Sequence, residues 1–239
     1  MKKFLVLILL TATAFIANAQ IELTRPVEDY AVNKTTIVTN KDGAKYPYDK
    51  WSKLLATGNY KLKPVHDDSD STDFILVKRD EQAIDKTLSA AAKPEESKFF
   101  KTGDPFKFLT LKDMDGAIIK PEDLQGKVVV INFWFIACPR CRYEMPELNR
   151  LVNAYQNNKD VVFIAISLDK MQNIERFLKV SPFNYRIIGN AMPLFAYYKV
   201  SECPVSLVID KAGIIRFNSV GYGDGSIPEW IKKTIDEVK

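Results

Sequence analysis

Two cysteines set two residues apart, Cys138 and Cys141, are the side chains best suited to chemistry, with Pro139 and Arg140 between them. A dithiol at this spacing can close into a disulfide and open again by exchange with another thiol pair. Pro139 suits the first position of a helix, where its missing N–H costs nothing, and this puts Cys138 at the N-cap. The unsatisfied N–H groups and the positive end of the helix dipole favour a thiolate there, and Arg140 adds a nearby cation. Cys138 is therefore expected to be the exposed attacking thiol, and Cys141, over the same turn, the shielded resolving one. Half a zinc site or a structural disulfide would be other uses of the pair. Zinc needs a second pair of ligands, and the chain holds one further cysteine, Cys203, and one histidine, His66. Redox work fits the spacing better.

Something rigid must deliver these thiols. The preceding run, Val128–Ile136, is apolar except for Asn132 and rich in β-branched and aromatic types. It reads as a strand buried on both faces, as in a parallel sheet covered by helices. After Cys141, residues Met145, Leu148, Leu151, Val152 and Tyr155 fall on one helical face. Val161–Leu168 is a second buried strand, Ile174, Phe177 and Leu178 mark a helix, and residues 191–200 form another. Val205–Ile209 turns through Lys211-Ala212-Gly213 into Ile214–Phe217, an antiparallel pair. Earlier in the chain, Phe106–Leu111 and Ala117–Ile119 flank a hairpin turn at Asp113–Gly116. The last helix opens with a capping box, Ser226 and Glu229, and buries Ile227, Ile231, Ile235 and Val238.

The segment NFWFIACPRCRYEMPEL resembles the active-site segment of thioredoxin-fold proteins, specifically the envelope thiol–disulfide reductases of the TlpA/ResA type, relatives of the redoxin/AhpC-TSA superfamily. The resemblance covers residues 99–239. It takes in the lead-in Gly103-Asp-Pro-Phe-Lys-Phe-Leu-Thr-Leu, the Gly126-Lys-Val-Val-Val run, and Cys203-Pro204-Val205 in the place of the family's cis-proline. Pro146 matches the proline that kinks the active-site helix. The resemblance implies an α/β thioredoxin-like fold, a central mixed sheet flanked by helices, and activity as a protein-disulfide reductase. The implied substrates are disulfides in envelope proteins, often apocytochromes c. No bound cofactor and no metal is expected, but a reductase in an oxidising compartment requires an upstream membrane electron donor.

The chain has 239 residues, 46% hydrophobic and 27% charged, ordinary values for a globular protein of one or two domains. Its net charge of +4 gives no footing for nucleic-acid binding. Residues 1–19, with two lysines, a short apolar region and Ala-Asn-Ala, read as a signal peptide cleaved after Ala19. That implies a periplasmic protein with no stable membrane anchor. Residues 20–98 are expected to form a small N-terminal α/β domain of unknown role plus a linker, ahead of the thioredoxin-like domain at 99–239. Its strands are Thr35–Thr39, Tyr60–Val65 and Phe74–Lys78, and Asp49 caps a helix through Trp51, Leu54 and Leu55 that ends at Gly58. Asp67–Asp73 is a polar loop, and residues 87–97 read as a helical end and linker. His66 beside Asp67, Asp68 and Asp70 reads as part of that solvated loop rather than as a metal site.

Several residues tune the chemistry that the resemblance implies. Thioredoxins hold a buried aspartate six residues before the first cysteine, where this chain has Asn132, so another base must help Cys141 ionise. Glu144, one turn beyond Cys141 on the same helix, takes that role, as a glutamate does in ResA-type proteins. Pro204 faces the dithiol across a substrate groove whose walls are expected to be Phe135, Ile136, Ala137, Pro139, Arg140 and Cys203. Ala137 replaces the family's usual tryptophan, and Cys203 is an unusual residue before the proline, open to an alternative disulfide, a change in potential or a soft metal. A thiol peroxidase of the peroxiredoxin type would want threonine and proline where Phe135 and Ile131 stand. A copper chaperone using Cys138, Cys141 and Cys203 would want a longer spacer and a nearby histidine. Gly221–Gly225 reads as a turn, since it lacks the lysine of a phosphate loop.

Overall fold

The computed structural model describes residues 35–57, 59–65, 73–79, 92–221 and 226–239. The leader, Gly58, the His66 loop, residues 87–91 of the 87–97 segment and residues 222–225 of the glycine-rich turn lie outside them.

Residues 35–79 build a small mixed sheet from β1 (Ile37–Thr39), β2 (Lys45–Tyr46), β3 (Tyr60–Pro64) and β4 (Asp73–Lys78), in the order β2-β1-β4-β3. Helix α1 (Tyr48–Ala56) covers it, and Trp51 joins Val38, Leu62, Phe74 and Leu76 in one buried cluster. Asp49 is not the cap that the sequence suggested: Pro47 holds that position, and Asp49 falls in the first turn, where its charge meets the positive helix end. The helix stops at Thr57, whose hydroxyl donates to the Leu54 carbonyl at 2.6 Å. Arg79, at the end of β4, forms an ion pair with Glu147, which also pairs with Arg150 at 2.9 Å.

The larger unit is a five-stranded sheet of order β11-β10-β7-β8-β9, made from β7 (Val128–Trp134), β8 (Val161–Ser167), β9 (Arg186–Ile188), β10 (Val205–Ile209) and β11 (Ile215–Val220). β7, β8 and β9 run parallel, while β10 and β11 add antiparallel partners on the other side. Every residue of β7 is buried. Val128, Val130 and Trp134 pack into the cluster with helices α2 (Pro139–Tyr155) and α5 (Ile227–Val238). Val129, Ile131 and Phe133 pack on the opposite face, with Phe195 of helix α4 (Met192–Tyr198). This two-faced burial is why the stretch reads as an unbroken apolar run.

Four local expectations change. The run toward Leu111 pairs as a hairpin only through β5 (Leu111–Lys112) and β6 (Ile118–Ile119). Its earlier part lies against β11 and the turn before it: Phe106 N–H donates to Gly213 O at 2.8 Å, and Pro105 bridges Ile214. The β7 strand ends at Trp134 rather than Ile136, because the Ile136 amide turns away to a side chain. Ser226 sits at the N-cap of α5 but with helical backbone angles, φ −80° and ψ −18°, so its hydroxyl makes no cap hydrogen bond. Strand β9, unforeseen in the sequence, is held by Arg186, which donates to Asp113 Oδ2 at 2.6 and 3.1 Å, and by Met114 N–H on Ile187 O at 2.8 Å.

The segment leading into the larger unit is tied down by one buried amide. Asn218 of β11, 0% exposed, accepts from both the N–H and the hydroxyl of Ser97 at 2.8 Å and donates to Thr102 Oγ1 at 3.2 Å. Asn218→Ala leaves the buried Ser97 N–H without its acceptor, so unfolding free energy should fall by about 2 kcal/mol. Urea denaturation at unchanged slope would show it; a shift below about 0.5 kcal/mol would mean that the anchor adds nothing to stability.

Candidate active site

The reactive pair sits where β7 runs into α2. Ile136 N–H donates to Asp169 Oδ2 at 2.7 Å, which turns the chain out of the sheet, and Cys138 N–H closes back on Phe135 O at 3.1 Å. Asp169 also accepts from Ser167 Oγ at 3.1 Å, so the end of β8 braces the end of β7. Cys138 is the N-cap of α2, with extended backbone angles, and Pro139 follows in the first turn. Cys138 and Cys141 form a disulfide with Cα atoms 5.3 Å apart, and Cys138 Sγ accepts from the Cys141 N–H at 3.1 Å. That N–H is one of the free donors of the first turn, and it would stabilise the thiolate that opening the disulfide creates. Pro146 lies inside the same helix. It offers no N–H to the carbonyl four residues back, which loosens the ladder just beyond the reactive turn.

Cys138 is not the exposed thiol that the sequence suggested. It is 5% exposed against 1% for Cys141, and the backbone of Cys203 packs against its sulfur. The Cys203–Pro204 bond is cis, and the Cys203 carbonyl oxygen stands 3.7 Å from Cys138 Sγ. Pro204 is buried and accepts from Gly221 N–H at 2.9 Å.

Glu144 is 0% exposed, one turn beyond Cys141. Its Oε1 accepts from Asn132 Nδ2 at 2.7 Å, and the same amide nitrogen lies 3.1 Å from Ser206 Oγ. Its Oε2 has no hydrogen-bond partner among the described residues, and neither do the buried Tyr185 hydroxyl and Trp134 Nε1. Burial drives the Glu144 carboxyl up to about 8, against the pull of the Asn132 hydrogen bond. Its charge reaches the Tyr185 hydroxyl and the Cys203 thiol; burial first and that charge second push Cys203 up to about 12.

A groove of about 320 Å³ opens beside the dithiol, lined by Phe135, Leu168, Met192, Phe195, Lys199 and Cys203 among others. Of the expected walls, Phe135 and Cys203 line it; Ile136 is half-buried elsewhere, and Ala137, Pro139 and Arg140 are exposed on the rim of the helix start. Sequence reasoning missed Leu168, just after β8, and Met192 and Phe195 of α4, and it missed Asp169 and Ser167. The only local signal for the latter was a Ser-Leu-Asp at the end of an apolar run. Among the described residues, no group of three His, Cys, Asp or Glu side chains is arranged to hold a metal ion.

Comparison with known proteins gives a consistent picture. The AhpC/TSA family profile matches residues 102–218. A thiol-disulfide oxidoreductase ResA of Bacillus cereus is 32% identical over 111 residues, 46% of this chain and 64% of that protein. The corresponding ResA of Geobacillus thermodenitrificans is 30% identical over 131 residues, 54% of this chain and 73% of that one. Among solved structures, a proposed thiol:disulfide interchange protein DsbE from Chlorobium tepidum superposes with a TM-score of 0.52 at 26% identity, covering 58% of this chain and 98% of its own. The thioredoxin domain of a thiol-disulfide oxidoreductase from Bacteroides vulgatus shares the fold, with a TM-score of 0.50 at 22% identity over 57% of this chain and 99% of its own. The dithiol-bearing part of the chain has the thioredoxin-like fold, and the chain belongs to the ResA-type family of thiol–disulfide oxidoreductases.

Proposed function

We propose that this protein is an exported thiol–disulfide oxidoreductase that reduces disulfides in envelope proteins, apocytochromes c among them, and is itself re-reduced by a membrane electron donor. The observation that carries this is the Cys138–Cys141 disulfide closed at a helix N-cap beside a fully buried carboxyl. In the reduced protein, Cys138 attacks a substrate disulfide as a thiolate held by the Cys141 N–H, and a mixed disulfide forms. Glu144 takes the proton from Cys141, which then displaces the reduced product and restores the disulfide. The cysteines alone carry the electrons. The backbone of Cys203, before Pro204 on the groove wall, would pair with a substrate chain in the manner of an added strand. The reading divides the chain into a leader at 1–19, a small domain at 20–98 and the catalytic domain at 99–239.

Two measurements test it. The Cys138–Cys141 couple should have a reduction potential near or below about −220 mV, while a value near about −120 mV would make the protein a disulfide donor instead. Cys138→Ser should abolish reduction of a disulfide-bearing model peptide.

Glu144→Gln should slow resolution of the mixed disulfide about a hundredfold. In wild type that step should rise with pH through about 8, since the carboxylate must be ionised to accept a proton; the rise should vanish in the variant. Glu144 holds its proton more tightly folded than unfolded. Its stabilising contribution is therefore complete below the ordinary carboxyl value of 4.5 and is lost as pH rises through about 8. Wild type should accordingly lose a few kcal/mol between about pH 5 and 9 that Glu144→Gln keeps. Parallel losses in both proteins would remove Glu144 from this role.

A further inference from the structure

Cys203 is the cysteine outside the disulfide, half-buried in the wall of the groove, and the reading above leaves it without a task. Its side chain packs against the cluster that contains both Cys138 and Cys141. With its carbonyl oxygen 3.7 Å from Cys138 Sγ, that sulfur lies within roughly 6 Å of the Cys203 Cα by bond lengths alone. A Cys203 rotamer turned toward Cys138 brings its sulfur close to that atom, and a small shift of the loop would complete a bond of about 2.05 Å. A second observation comes from the opposite side. Glu144 is fully buried, its Oε2 has no hydrogen-bond partner among the described residues, and its charge is felt at the Cys203 thiol. The buried carboxyl assigned above to Cys141 thus acts electrostatically on the Cys203 thiol as well.

We propose that Cys203 is a second resolving thiol, able to replace Cys141 in cleaving a mixed disulfide on Cys138. This rests on the role given above to Cys138. The Cys203 sulfur bonds to Cys138 Sγ as the bond between Cys138 and the substrate sulfur breaks. The substrate leaves as a thiolate with that bond's electron pair, and the Cys203 proton passes to the Glu144 carboxylate. The substrate is reduced by two electrons, and Cys138 and Cys203 are oxidised to a disulfide. Cys141 then attacks Cys138 and its proton goes to the departing Cys203 sulfur, which leaves as a thiol with the electron pair of the broken bond and so restores the Cys138–Cys141 disulfide. The high proton affinity of Cys203, pushed up to about 12, makes this the slower route wherever Cys141 is free. Its use is a substrate whose bound chain blocks Cys141.

The test uses the mature chain with Cys141→Ser, reduced and then loaded with 5-thio-2-nitrobenzoate on Cys138. Excess reagent is removed, release of the coloured thiolate is followed, and disulfides are mapped by peptide mass. The Cys141→Ser adduct should decay at least about tenfold faster than the adduct of Cys141→Ser/Cys203→Ser, and a Cys138–Cys203 disulfide should appear in the map. Cys141→Ser/Cys203→Ala provides a second control should the serine variant fold poorly. Equal lifetimes in all three proteins with no such peptide would sink the third thiol and leave the role of Cys138 standing. Absence of an adduct on Cys138 in the variants lacking Cys203, with no Cys138–Cys203 disulfide in Cys141→Ser, would overturn both.

Discussion

The hydrogen bond from the Ile136 amide to Asp169 Oδ2 is the point at which the sheet gives way to the site. A strand buried on both faces has nowhere to leave a backbone donor unpaired. Asp169 takes the Ile136 donor two residues beyond β7, the Phe135 carbonyl takes the Cys138 amide, and the Cys141 amide turns onto Cys138 Sγ. Each partner fixes the direction of the next residue. The first sulfur is thereby set at the helix cap, and the second lies one turn further along. The helix itself is pinned on its buried side by Met145 and Leu148, and at its flank by the pairing of Glu147 with Arg79 from the small sheet.

Two neighbouring groups on this helix live in opposed environments. Cys138 stands where helix donors converge, which favours a negative sulfur. Glu144 stands in the core with a single donor on one oxygen, which favours a neutral carboxyl. In the proposed mechanism this contrast would make the carboxyl the acceptor of a proton and the capping sulfur the carrier of a charge before any substrate arrives. The absence of a carboxyl at position 132 matters for the same reason. Aspartate there would set a second negative charge 2.7 Å from the first, and the two would share one proton rather than hold separate tasks.

The residues 128–141 were legible because composition, the proline after the first cysteine and the spacing of the pair all point the same way. The buried face of α2 was legible from its period. Other features depend on partners far along the chain. β9 is three residues long and becomes a strand only through its pairing with β8 and the grip of Asp113 on Arg186. The capping box of α5 has the right residues, yet the backbone at Ser226 is already helical, which no residue type announces. The groove draws on Leu168, Met192 and Phe195, each from a stretch of apolar sequence that reads equally well as core. Glu144 was placed over the correct turn by spacing. Its full burial was not foreseeable, because a charged residue on a helix ordinarily faces water.

The amide of Asn132 has one further consequence. Its nitrogen can only donate, and Oε1 of Glu144 accepts that hydrogen bond whether or not Oε2 carries a proton. No neighbour has to rotate when the carboxyl gains or loses its proton, and Asn132 itself is held by β7 and 1% exposed. In the proposed mechanism a proton would therefore pass without any turn of Asn132, and the barrier to exchange would be left to the sulfur atoms themselves.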